Sequence, residues 1–84
     1  MTPTFKAVGD QGLLVSFADE FSDDVHEYVL ALDSEIAENT PLGVVEVVPA
    51  LVNLLVSFDP CETSHVEVTT ALRTLSKSLK MRKI

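Results

Sequence analysis

An α+β sandwich in the order ββαββα is what this sequence predicts: a four-stranded, mainly antiparallel sheet with two helices on one face. Three observations predict it. Leu13-Leu14-Val15-Ser16-Phe17 recurs as Leu54-Leu55-Val56-Ser57-Phe58, an offset of 41 residues. At the same offset Ser22 meets Thr63 and Val25 meets Val66, so the likeness extends beyond the strand and marks a duplicated unit. Each copy also follows a further extended stretch and precedes a run of helically spaced apolar residues. The two ββα units are expected to span about 4–39 and 43–80 of a single domain covering 1–84.

The first unit opens with an extended segment, Thr4 to Val8, and a turn at Gly9-Asp10-Gln11-Gly12. Glycine accepts positive φ at no steric cost, and an aspartate side chain can bond to its own turn backbone. Leu13 to Phe17 then alternates, with Leu13, Val15 and Phe17 on one face and Leu14 and Ser16 on the other. Ser22 is the expected N-cap, with Asp23 and Asp24 in the first turn, where negative charge is favoured. Val25, Tyr28, Val29, Leu32 and Ile36 form one apolar stripe, and Glu27, Asp33, Glu35 and Glu38 are expected to fall largely off it. Pro41 disfavours helix in the residue before it, so the helix should end near Asn39.

In the second unit, Gly43 opens a β-branched run of Val44, Val45, Val47 and Val48, interrupted by Glu46. Pro49 cannot donate a ladder hydrogen bond and marks a bulge, an edge or the strand's end. Leu54 to Phe58 returns, and Asp59-Pro60 stops it. Ser64-His65-Val66-Glu67 fits the capping-box pattern, in which two side chains satisfy each other's backbone N–H. Val68, Leu72, Leu75 and Leu79 give the core stripe of the last helix.

Both stripes must bury against one sheet face. The other face should carry Leu14, Ser16, Leu55 and Ser57, half apolar and with no helix left to cover it. Two readings of that face stand at this point: a docking site for a partner, or ordinary, lightly apolar surface.

Composition narrows the function. Eighty-four residues, 46% of them hydrophobic, make a globular domain of modest size, with a core drawn from Val, Leu and Ile because aromatics are only 6%. A net charge of −7 argues against a nucleic-acid partner, which needs clustered Lys and Arg. Asp19, Glu20, Asp23 and Asp24 form an acidic cluster, while Lys77, Lys80, Arg82 and Lys83 crowd the end of the chain, where cations suit a helix C-terminus. A patch for an acidic partner is the other reading of that basic tail. The single cysteine, Cys61, cannot close an internal disulfide, no signal-peptide pattern opens the chain, and no apolar run is long enough to span a membrane. A cytoplasmic protein away from membranes is expected.

Self-contained chemistry is not evident. His26 and His65 stand at the starts of two different helices. Cys61 and His65 are close in sequence, but Pro60 and Thr63 oppose a shared helix, and neither a second thiol nor a third orienting group completes a metal or nucleophile site. Gly9-Asp10-Gln11-Gly12 lacks the lysine and spacing of a phosphate loop. No catalytic, cofactor-binding or metal-binding residue is assigned. Gly9, Asp10, Gly12, Pro49, Ser64 and Glu67 are given turn or capping roles.

Several stretches together resemble a known family. Gly9-Asp10 with Leu13-Leu14-Val15-x-Phe17, then Pro41-Leu42-Gly43-Val44-Val45-Glu46-Val47-Val48-Pro49 and Leu54-Leu55-Val56-x-Phe58-Asp59-Pro60, are similar in order and spacing to the N-terminal domain of the carboxyltransferase subunit family. That family includes the B subunit of bacterial ATP-dependent 5-oxoprolinase, allophanate hydrolase subunit 1 and an inhibitor of a sporulation histidine kinase. The resemblance covers about residues 4–80 and implies a DCoH-like ββαββα domain. The family's members continue into a cyclophilin-like domain, and this chain stops about where that domain should begin, as an excised domain or a naturally short relative. The resemblance implies a role beside other hydrolase subunits, with any ATP held by a partner chain and no cofactor in this one. It equally admits a regulatory module that acts on a histidine kinase, and a homo-oligomer is compatible with either. A pterin dehydratase of similar topology relies on a histidine cluster, for which two separated histidines are too few.

Overall fold

The computed structural model describes residues 3–18, 20 and 22–80, with the side chains of 78–80 excepted. Its elements are β1 (Thr4–Val8), β2 (Gly12–Ser16), α1 (Asp23–Glu38), β3 (Val44–Pro49), β4 (Asn53–Phe58) and α2 (His65–Lys80). The sheet order is β1-β2-β4-β3, and all three pairings are antiparallel. The ββαββα sandwich is the observed architecture.

Alternation along the central strands decides which residues meet the helices. Leu13 and Val15 from β2, with Leu54, Val56 and Phe58 from β4, are buried together with Val25, Val29, Leu32 and Ile36 of α1 and Val68 and Leu72 of α2. Full burial of each such aliphatic side chain contributes about 1.5–3 kcal/mol, so this cluster dominates the folding energy. On β3 the apolar run is sorted by a bulge. Val44 pairs with Phe58 and Glu46 with Ser57, which leaves Val45 as the extra residue, 72% exposed. After the bulge Val47 lies opposite Val56 and packs on the core, as Val44 does before it. Pro49 is the last residue of β3 and lies on an outer strand, so the edge and strand-end readings hold and the bulge lies elsewhere.

The repeat has a structural counterpart. β2 and β4 are neighbours, and Leu14 pairs with Leu55, the residue that matches it in the repeated motif. An approximate twofold axis therefore passes through that pair. The equivalence slips after the strands. The observed caps are Ser22 and Ser64, whose Oγ atoms accept from the N–H of Val25 (3.1 Å) and Glu67 (3.3 Å). They lie 42 residues apart, and the buried pairs Val25/Val68 and Val29/Leu72 lie 43 apart.

The slip agrees with the cap and core stripe expected for α2, at Ser64 and from Val68, and not with a helix equivalence at the strand offset. Thr63, not a cap equivalent to Ser22, is buried, and Val66, not a core equivalent of Val25, is 74% exposed. The loop before α2 is one residue longer, which gives the cap offset of 42, and it is tightened by the Glu62 and Thr63 N–H groups, which both donate to the Asp59 carbonyl. In that loop the Asp59 side chain also accepts from the Cys61 N–H at 2.8 Å.

Three expectations change. Gly12 is not in the turn but opens β2, opposite both Val8 and Ser57, and a Cβ there would meet the Val8 carbonyl oxygen at 2.6 Å. The capping box is half formed: the Glu67 carboxylate accepts from the Thr63 hydroxyl at 3.0 Å. Glu35 lies within the buried stripe of α1, at 4% exposure, with its Oε2 accepting from Asn39 at 3.5 Å. Each helix packs on its neighbour as well as on the sheet, which widens the buried sector enough to take in Glu35 on α1 and Ser76 on α2. Helix α1 ends at Glu38 with Asn39 as its C-cap, as Pro41 requires. Asp19, Arg82, Lys83 and the side chains of Leu79 and Lys80 lie outside the described residues.

Candidate functional site

The sheet face turned away from the helices is read directly from the register. One row across it is Lys6, Leu14, Leu55 and Val48. The next is Val8, Gly12, Ser57 and Glu46, and a third is Thr4, Ser16 and Asn53. The structure thus brings together all four residues expected on this face. Leu14, Ser16, Leu55 and Ser57 occupy its centre and are each half-buried by their neighbours.

Val8 and Val48, 45% and 50% exposed, extend the apolar part outward from Leu14 and Leu55. Beside them is a depression of about 430 Å³ lined by Val8, Gly9, Asp10, Gln11, Gly12, Leu55 and Ser57. Gly12 contributes no side chain there, which leaves the depression open between Val8 and Ser57. Sequence reasoning missed Val8, Gln11 and Val48. The register of a hairpin closed by the turn Gly9–Gln11 places Val8 beside Gly12, whereas a turn that includes Gly12 does not.

The hairpin that walls this depression is held from behind. Gly9 adopts φ 64° in the turn, and Asp10 is exposed beside it. The Gln11 carbonyl accepts from the Phe58 N–H at 2.9 Å. His65, the first residue of α2, places Nε2 at 3.1 Å from both the Gly9 and Gly12 carbonyl oxygens. Since both neighbours are acceptors, Nε2 carries the hydrogen and donates to them. The His65 ring also meets the Phe58 ring edge-on, with centroids 4.8 Å apart. A histidine expected only to begin a helix is therefore the brace between that helix and the β1–β2 turn.

The remaining assigned residues keep structural positions. Pro49 closes β3, Ser64 caps α2, and Glu67 bonds to Thr63. Cys61 is an exposed free thiol in the turn before α2, outside the helix that holds His65. His26 is half-buried in the first turn of α1. Among the described residues, no group of three or more His, Cys, Asp and Glu side chains is arranged to hold a metal ion. No helix of the described residues is long and apolar enough to cross a membrane. What this face offers is shape and apolar area with a polar margin of Lys6, Glu46 and Asn53.

Comparison with known proteins agrees with this architecture. The family model for the carboxyltransferase domain, subdomain C and D, matches residues 3–83. A conserved uncharacterized protein of Pyrococcus horikoshii is 37% identical and superposes with a TM-score of 0.86; the match covers 94% of this chain and 37% of that one. The urea amidolyase of Kluyveromyces lactis superposes with a TM-score of 0.85 at 19% identity, across 90% of this chain and 5% of that one. The N-terminal domain of the histidine kinase inhibitor KipI of Bacillus subtilis shares the fold with a TM-score of 0.69 at 24% identity, covering 93% of this chain and 88% of that domain. A comparison with curated proteins finds no match. This chain thus spans little more than a third of the Pyrococcus protein and a small part of the amidolyase. With nearly every residue matched by the family model, the chain belongs to the carboxyltransferase domain family, subdomain C and D.

Proposed function

We propose that this domain is an accessory, partner-binding part of a multi-subunit, ATP-dependent amide hydrolase of the 5-oxoprolinase type, at work in the cytoplasm. In this reading it docks through the open sheet face, while nucleotide and substrate are held by partner chains. The observation that carries the reading is the Leu14–Leu55 pair at the centre of a half-apolar face that no helix of the described residues covers. The related fold occurs within much longer chains, among them a urea amidolyase and a urea carboxylase, and this supports an accessory role beside other catalytic parts.

The likeness to the KipI domain favours a second reading, a regulatory module that binds a histidine kinase, because the match spans nearly the whole of both chains. Affinity capture with this chain as bait, followed by an assay of ATP-coupled 5-oxoproline hydrolysis in the captured material, separates the two. Recovery of hydrolase subunits with that activity is expected. Recovery of a histidine kinase without hydrolase subunits would support the second reading and overturn the first.

A further inference from the structure

A second surface carries an inference that goes beyond the open face. β1 is an outer strand, paired among the described residues only with β2, so one edge of its backbone is open there to a further strand. The other outer strand is blunted: β3 has the bulge at Val44/Glu46 and ends on Pro49, which has no N–H to give. β1 runs in unbroken register from Thr4 to Val8, with neither bulge nor proline. Alongside it, between β1 and α2, lies an open groove of about 570 Å³.

The lining of that groove has a defined chemistry. Ala7 and Val66 supply an apolar part, and Val66 is available because the slip in the second repeat takes it out of the core. Arg73 lies over the Phe5 ring, 5.1 Å from its centroid, which holds a cation in the groove at little cost in ordering. Charge is segregated across the molecule. The cationic side chains among the described residues, Lys6, Arg73 and Lys77, are all exposed and all on β1 or α2. Helix α1 instead carries Asp23, Asp24, Glu27, Asp33, Glu35 and Glu38, with no Lys or Arg. Of these cations Arg73 lines the groove, and Lys6 stands on β1 with its side chain toward the open face. A second copy set β1 against β1 would bring Lys6 and Arg73 toward their own likenesses, so charge selects a different occupant.

We propose that the β1–α2 groove binds an extended acidic segment of a partner protein, which adds to the sheet along β1. Backbone hydrogen bonds supply affinity, while Asp or Glu side chains reach Arg73 and Lys6 and an apolar side chain rests on Val66. Alternate residues of the added strand face opposite sides of the sheet, so both cations are met by one segment.

The test is a nuclear magnetic resonance titration of the ¹⁵N-labelled chain with a blocked octapeptide of the repeat Val-Val-Glu-Glu. Shifts are expected at residues 4–8 and at Val66, Thr69 and Arg73, weakening as salt is raised. Arg73→Glu, at an exposed position, should weaken binding about tenfold or more while the remaining spectrum stays dispersed. Val66→Glu, also exposed, should weaken it without unfolding the chain. Any of four results overturns the proposal: no shifts at millimolar peptide, shifts confined to β3 or the open face, equal binding of the Val-Val-Lys-Lys counterpart, or sedimentation showing the chain self-paired through β1.

Discussion

Leu14 lies directly opposite Leu55 across the two central strands, and each is the other's counterpart in the repeated motif. The approximate twofold axis of the domain therefore emerges at the centre of the face that the helices leave open. Adjacent residues of the same strands, Leu13 and Leu54, point the other way and are buried in the core. The two sets should behave differently when replaced. Leu13→Ala and Leu54→Ala should each cost about 2–5 kcal/mol, and Leu14→Ala and Leu55→Ala about 1 kcal/mol. Urea denaturation of the four variants checks this, and equal losses would mean that the face assignment is wrong.

Gly43 should be harder to replace than Gly9. Both have positive φ, 84° and 64°. A Cβ on Gly43 would meet Thr63 Cγ2 at 2.6 Å, whereas one on Gly9 would find nothing within 4 Å. Gly9→Ala should cost about 1 kcal/mol, the price of left-handed backbone alone, and Gly43→Ala clearly more. Thermal melts of the two variants give the comparison.

The caps of the two helices make a second stability test. Ser22→Ala and Ser64→Ala should each lose about 1 kcal/mol. Thr63→Val should lose about 0.5–1.5 kcal/mol, because the Glu67 carboxylate bonds to the Thr63 hydroxyl. A Thr63→Val variant as stable as the wild type would restore the full capping box to Ser64 and Glu67.

His65→Phe should preserve the ring contact with Phe58 but remove the donor shared by the Gly9 and Gly12 carbonyls. A loss of about 1–2 kcal/mol is expected. Amide hydrogen exchange should speed up at Asp10, Gln11 and Gly12, ahead of β4. Uniform acceleration across the sheet would show that His65 contributes to global packing and not to the turn.

Period-2 and helical apolar patterns made the six elements legible in the sequence, and the repeat at Leu13–Phe17 and Leu54–Phe58 identified which strands are equivalent. The repeat does not carry unchanged into the helices. The strands match at an offset of 41, but the buried helix positions match at 43, a slip of two residues or roughly 200° about the axis of α2. That places Val66 outward and Thr63 inward, in keeping with the capping pattern at Ser64 and the apolar stripe from Val68. Glu35 was not legible in this way, since its burial depends on how closely α1 meets α2. The four central residues of the open face followed from alternation alone. Val8 and Val48 needed the pairing register, and the bond from His65 to Gly9 and Gly12 spans more than fifty residues, beyond any pattern in the chain.

The measurement that tests the central claim most directly is the affinity of this chain for a captured hydrolase subunit, compared with that of the Leu14→Glu, Leu55→Glu double variant. Circular dichroism confirms first that the variant is folded. The account predicts binding weakened at least tenfold, because two carboxylates then occupy the centre of the docking face. Unchanged affinity in a folded double variant would contradict it.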